Sequence, residues 1–132
     1  MKTSISIINS SHAPAAIGPY SQAIEAGGFL FVSGQLPLDP KTGAFSSDDI
    51  HGQTEQVLEN IYHILKEAGL TFDHVVKSEI YLKDIQDFAV VNKIYATRFE
   101  GNHKPARQTM QIGKLPLDAR VEISCIAYKG HP

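Results

Sequence analysis

PARQTMQIGKLPLDARVEISCIAY, residues 105–128, is the stretch whose reading decides the fold of this chain. Two runs within it, 106–112 and 120–128, alternate apolar and polar residues and predict β-strands joined across Gly113–Asp118. The working geometry folds them back on each other as a direct hairpin. In that register Thr109 lies opposite Glu122 and Arg107 opposite Ser124, so that Arg107 and Glu122 share a face as diagonal neighbours roughly 7–8 Å apart. A one-residue slip would place the two on opposite faces, and a strand inserted between them would separate them further.

Upstream, the spacing predicts a short strand over 4–9 and two more at 21–26 and 29–34. Gly27-Gly28 between the latter pair suits a two-residue hairpin, which needs positive φ. Residues 37–49, PLDPKTGAFSSDD, read as loop with a turn at Pro40–Gly43. A helix follows, capped by Asp48 or Asp49 and stopped at Gly69. Ile50, Val57, Leu58, Ile61, Leu65 and Ala68 form its apolar stripe. HVVKSEIYL, 74–82, predicts a strand, and a second helix runs from about Asp87 to Phe99 with Phe88, Val91, Ile94, Tyr95 and Phe99 on its apolar side.

The order β-β-β-α-β-α-β-β gives an α+β domain, a six-stranded mixed sheet with both helices on one face. In the last strand Val121, Ile123 and Cys125 point one way and Glu122, Ser124, Ile126 and Tyr128 the other, so neither face is purely polar. Two helices cover only one of those faces. Self-association is the simplest cover for the second.

The 132 residues, free of repeats, linkers and low-complexity tracts, read as one domain, 1–132. Apolar content of 42% with 20% charged residues suits a soluble globular protein. A net charge of −2 argues against a broad phosphate-binding surface and makes nucleic acid an unfavoured partner. The lone Cys125 forms no internal disulfide and reads as a core thiol. The N-terminal MKTSISIINSS lacks the pattern of a signal peptide, and no apolar run approaches a membrane span, so a cytoplasmic protein without membrane contact is expected.

The usual chemical motifs are missing from the sequence. No glycine-rich phosphate loop, HExxH, Cys/His ligand spacing or GxSxG elbow occurs, so no metal or cofactor is expected and Ser33 is no nucleophile by motif. What remains is polar material in apolar surroundings: Arg107 and Glu122 within strands, Ser33-Gly34-Gln35 at a strand end, and Tyr20 after Gly18-Pro19. The plainer account of Arg107 and Glu122 is a structural ion pair or a solvated face. The sharper one is a carboxylate-binding Arg beside an acid/base Glu, since a guanidinium grips a carboxylate with two parallel hydrogen bonds.

APAAIGPYSQAI (13–24), FVSGQLPLDPKTG (31–43), QTEQVLEN (53–60), DFAVVNKIYATRF (87–99), PARQTM (105–110) and LPLDARVEISCIA (115–127) together resemble the Rid (YjgF-type) family of reactive-intermediate, or imine/enamine, deaminases. The resemblance implies a chorismate-mutase-like α+β fold and a homotrimer with sites in the clefts between subunits. It implies catalytic roles for Arg107, binding the substrate carboxylate, and Glu122, positioning water. Tyr20, Ser33, Gly34, Asn92 and Thr109 fall at its substrate-binding positions. Many relatives carry Cys at the position of Thr109 and a second Glu at that of Ser124; Thr109 is expected to act mainly through its backbone. The implied reaction is hydrolysis of 2-aminoacrylate, 2-aminocrotonate and their imines to 2-oxo acids and ammonium, without cofactor. A translation-inhibiting endoribonuclease and a noncatalytic 2-oxo-acid-binding module stay open as alternatives.

Overall fold

The computed structural model describes residues 4–130. In chain order it has β1 (Ile5–Ile8), β2 (Ala23–Ala26), β3 (Phe29–Gln35), α1 (Ile50–Glu67), β4 (Val75–Leu82), α2 (Phe88–Ala96), β5 (Ala106–Gln111) and β6 (Val121–Tyr128). The element order read from the sequence therefore holds. The second helix is shorter than expected, because α2 closes at Ala96 and the Thr97 hydroxyl donates to the Ile94 carbonyl at 2.6 Å. Phe99 is still buried beyond the helix end.

The six strands form one sheet in the order β1-β2-β3-β6-β4-β5. The direct β5–β6 hairpin is thereby overturned, since β4 lies between the two strands. It pairs antiparallel with β6 and parallel with β5. The physical reason is the connection: β4, α2 and β5 form a crossover unit in which the helix returns the chain to the starting end, and such units pair their strands in parallel. Between β5 and β6 the chain makes a tight turn at Pro116–Asp118, where Leu117 and Asp118 adopt φ of 56° and 58°. The β2–β3 hairpin is as expected, with Gly27 and Gly28 at φ 61° and 84°.

Both helices pack on one face. Asp49 caps α1 by accepting from the Gly52 amide at 2.7 Å, a bond that also lowers its carboxyl pKa. Val57, Leu58, Ile61, Ile64 and Leu65 of α1 meet Leu30 and Val32 of β3, Val75, Ile80 and Leu82 of β4, and Val121, Ile123 and Cys125 of β6 in one core. Burial pushes the Cys125 thiol up to about 12, in keeping with an inert core residue. Asn60, fully buried on α1, donates to the carbonyls of Leu36 and Leu38 at 3.1 and 3.0 Å and so ties the segment after β3 to the helix. Leu58 has no exposed surface, so Leu58→Ala is expected to cost about 2–5 kcal/mol of stability, read from chemical denaturation.

Among the described residues, the opposite face carries no helix. Register places Ile5, Ala26, Phe29 and Tyr128 in one row across the strands and Ile7, Ile24, Phe31 and Ile126 in the next. Ile5, Ile7, Phe29, Phe31 and Tyr128 are all exposed. Rows of exposed large apolar side chains on one sheet face are unusual for a chain standing alone.

Candidate active site

Arg107 stands on β5, a polar strand (ARQTMQ) at the edge of the sheet. Its register partner is Ser78, which in turn pairs with Cys125, so its side chain rises on the helix-bearing face. Phe88, Asn92 and Tyr95 recur at helical spacing along α2 and meet it there. Arg107 Nη1 donates to Asn92 Oδ1 at 2.7 Å, and the guanidinium carbon lies 5.3 Å from the Phe88 ring centre and 5.0 Å from that of Tyr95. Among the described residues no carboxylate pairs with it. Its partners are thus a neutral amide and two π-faces, which leave a cation with unused N–H groups. Asn92, Tyr95, Ala96, Phe99, Lys104, Pro105 and Arg107 line a cleft of about 340 Å³ beside it. Thr109, two residues further on, shares the face of Arg107 and is half-buried.

Glu122 stands elsewhere. It pairs with Tyr81, on the face that lacks helices. Arg107 and Glu122 thus lie on opposite faces, two strands apart and displaced by about 10 Å along the strands at roughly 3.3 Å per residue. The shared face read from the sequence is overturned, and so is the plainer account in which the two form an ion pair within the chain. The Glu122 carboxylate has no hydrogen-bond or ion-pair partner among the described residues, and burial raises its pKa above the usual carboxylate value. Beside it, β3 runs past without a side chain: a Cβ added at Gly34 would stand 2.7 Å from Glu122 Oε2. Any larger residue at Gly34 would push the Glu122 carboxylate from its present position. The Ser33 hydroxyl donates to the Ser21 carbonyl at 2.6 Å and its amide to the Gln22 carbonyl at 2.9 Å, which fastens the segment bearing the exposed Tyr20 to the end of β3.

The sequence-predicted residues therefore form two groups. Arg107, Asn92 and Thr109 gather around α2 and β5, while Glu122 and Gly34 meet at the β3–β6 seam; Ser33 precedes Gly34 in β3, and Tyr20 precedes the Ser21 whose carbonyl accepts from the Ser33 hydroxyl. Phe88 and Tyr95 were read from the sequence only as apolar helix residues, yet they flank Arg107. Gln22 was not singled out at all; its buried amide accepts from the Ser10 amide at 2.7 Å and donates to the Ser10 and Pro14 carbonyls at 3.0 and 2.9 Å, shaping the loop that carries Tyr20. No group of three or more His, Cys, Asp or Glu suited to a metal occurs among the described residues. His12 does pack on His63 at 5.2 Å between ring centres, a pairing invisible in the spacing, with Glu59 3.4 Å from His63 Nε2.

A family model described as endoribonuclease L-PSP matches residues 10–129. The chain belongs to that family, the Rid family of the sequence resemblance. Among its Rid relatives, a RutC family protein of Pyrococcus horikoshii is 53% identical over 93% of this chain and 97% of its own length. The mouse protein named 2-iminobutanoate/2-iminopropanoate deaminase is 44% identical over 94% of this chain and 91% of its own. The crystal structure of Escherichia coli TdcF with bound serine superposes with a TM-score of 0.89 at 36% identity, covering 95% of this chain and 99% of that one. No helix among the described residues is long and apolar enough to cross a membrane.

Proposed function

We propose that this Rid protein is an imine deaminase that hydrolyses 2-iminopropanoate and 2-iminobutanoate, the tautomers of 2-aminoacrylate and 2-aminocrotonate, to the 2-oxo acids and ammonium. The observation that carries the reading is a pair of opposite charges held apart, neither with a counter-charge among the described residues: Arg107 kept from any carboxylate, and Glu122 half-buried without a donor. The likeness to a mouse enzyme named for this reaction, and to a bacterial structure holding an amino acid, supports a small carboxylate-bearing ligand.

Two charges on opposite faces of one sheet serve one substrate only if they come from different copies. The site is accordingly composite, with Arg107, Asn92 and Thr109 from one subunit and Glu122, Gly34, Ser33 and Tyr20 from the next. The exposed Ile5, Ile7, Phe29, Phe31 and Tyr128 supply the apolar surface for that association, which we take as a homotrimer. Its expected mass by light scattering is about three times the 14.5 kDa of the chain.

The chemistry asks little of the protein. The C=N carbon of an imine is already electrophilic, so an anchor, a positioned water and a proton carrier suffice. Arg107 holds the carboxylate through two N–H groups. Glu122 accepts a proton from water as its oxygen bonds to C2 and passes that proton to the nitrogen; the C2 hydroxyl then gives its proton to the nitrogen by the same route as the C–N bond breaks, releasing ammonia and leaving the C=O. Atoms balance as imine plus water giving 2-oxo acid plus ammonia. In this reading the Gly34 amide is a further donor to the substrate, Ser33, whose own hydroxyl and amide are spent on the Ser21 and Gln22 carbonyls, holds that strand end in place, and Tyr20 closes the cleft.

The test couples purified protein to a threonine dehydratase and follows decay of the imine absorbance, with RNA cleavage measured in parallel. Accelerated decay with intact RNA is expected. Decay at the buffer rate overturns the reading, and RNA cleavage without imine hydrolysis favours the nuclease alternative.

A further inference from the structure

Ser78 is out of place by composition. It sits on the helix-facing side of β4 among Val75, Ile80 and Leu82, opposite Cys125, and none of its surface is exposed. A hydroxyl buried there costs free energy unless it is hydrogen-bonded. Its partner is the Tyr95 hydroxyl, which donates to Ser78 Oγ at 2.9 Å. The Tyr95 ring also stacks on Phe99, with centres 4.2 Å apart and planes 22° from parallel, and Phe99 meets Phe72 edge-on at 5.1 Å. One end of Tyr95 is thus pinned by a hydrogen bond and its ring is wedged by a second aromatic.

The residue this fixed ring touches is Arg107, whose guanidinium carbon lies 5.0 Å from its centre. Ser78 is also the β4 register partner of Arg107, so the hydroxyl pair rests directly beside the strand position it serves. A surface arginine on an edge strand samples many rotamers, and ordering it costs entropy on ligand binding. Here the pinned ring gives the guanidinium a surface to rest against, and Asn92 takes one of its N–H groups.

We propose that Tyr95, locked by Ser78, is a positioning residue that presents the free edge of Arg107 to the substrate carboxylate. This rests on Arg107 being the carboxylate anchor. Tyr95 acts through Arg107, so its loss weakens binding of the carboxylate and spares the proton chemistry at Glu122.

Three variants test it: Tyr95→Met, which fills the space with a flexible non-aromatic chain; Tyr95→Phe, which keeps the ring; and Ser78→Ala, which frees it. KM and kcat for the imine are measured with the Kd of 2-oxobutanoate by calorimetry. Tyr95→Met is expected to raise KM and Kd roughly fivefold to thirtyfold with kcat changed less than about threefold. Tyr95→Phe recovers most of that loss, and Ser78→Ala raises KM about twofold to fivefold in a chain that still folds, with a melting temperature lowered by a few degrees because the Tyr95 hydroxyl loses its acceptor. A folded Tyr95→Met with wild-type KM and Kd overturns the proposal. Should that variant fail to fold, Ser78→Ala decides, and an unchanged KM there overturns it equally. Arg107→Ala separates the two readings. If it leaves KM and Kd unchanged, the anchor reading falls and the role of Tyr95 with it; if it abolishes binding while Tyr95→Met does not weaken it, only the role of Tyr95 falls.

Discussion

Glu122→Gln is expected to keep the fold and bind 2-oxobutanoate normally while losing roughly 10²–10⁴-fold in kcat, the usual contribution of a general acid/base. Gln preserves the shape and still orients a water by hydrogen bonds, but it accepts no proton. The pH profile checks the same point. Burial raises the Glu122 pKa, so the carboxylate form needed as base is lost on acidification earlier than for an ordinary glutamate. Activity therefore falls as pH drops through that raised value, and the Gln variant lacks this limb. The linkage to stability runs the other way. The folded state holds the Glu122 proton more tightly than the unfolded chain, so ionisation lowers stability as pH rises from the unfolded pKa through the folded one. Glu122→Gln is consequently no less stable than the parent at neutral pH. Wild-type turnover in this variant would place the proton carrier elsewhere.

Arg107→Lys is the second large effect. Lysine keeps the charge but offers a point donor on a flexible stem, without the planar fork and without a flat surface to lie on the Phe88 and Tyr95 rings. One of two charge-assisted hydrogen bonds to the carboxylate is lost, and kcat/KM for the imine is expected to fall about tenfold to several hundredfold. The melting temperature should hardly move, since Arg107 is exposed and makes no ion pair among the described residues. A surface charge with no role in binding would show neither loss.

Much of this architecture was legible in the chain. Asp49, Gly69 and the Val57–Leu65 stripe delimit α1, and Gly27-Gly28 marks the β2–β3 turn, because caps and positive φ depend on single residues. The β5–β6 pairing was misread for a physical reason. Alternation shows which way a side chain points, but nothing in it names the neighbouring strand. Two signals pointed to the true arrangement: the polar sequence of β5, which suits a sheet edge, and the helix between 74–82 and 106–112, which suits a parallel crossover. The candidate residues were legible as unusual polar groups and through the family resemblance. Their division into two groups was not, because it follows from the strand order. Tyr95 and Ser78 were hidden for another reason. A tyrosine on an apolar helix face and a serine in a strand carry meaning only once they are seen to meet.

The composite site is the claim on which the account turns, and subunit mixing tests it most directly. Arg107→Ala and Glu122→Gln chains, each inactive alone, are unfolded together and refolded as an equimolar mixture. If Arg107 of one copy works with Glu122 of the next, random assembly gives each site an intact pair with a probability of about one in four, whatever the size of the ring. The predicted result is recovery of roughly a quarter of wild-type imine hydrolysis in the mixture. Activity that stays at the level of the two variants measured separately would contradict the shared site.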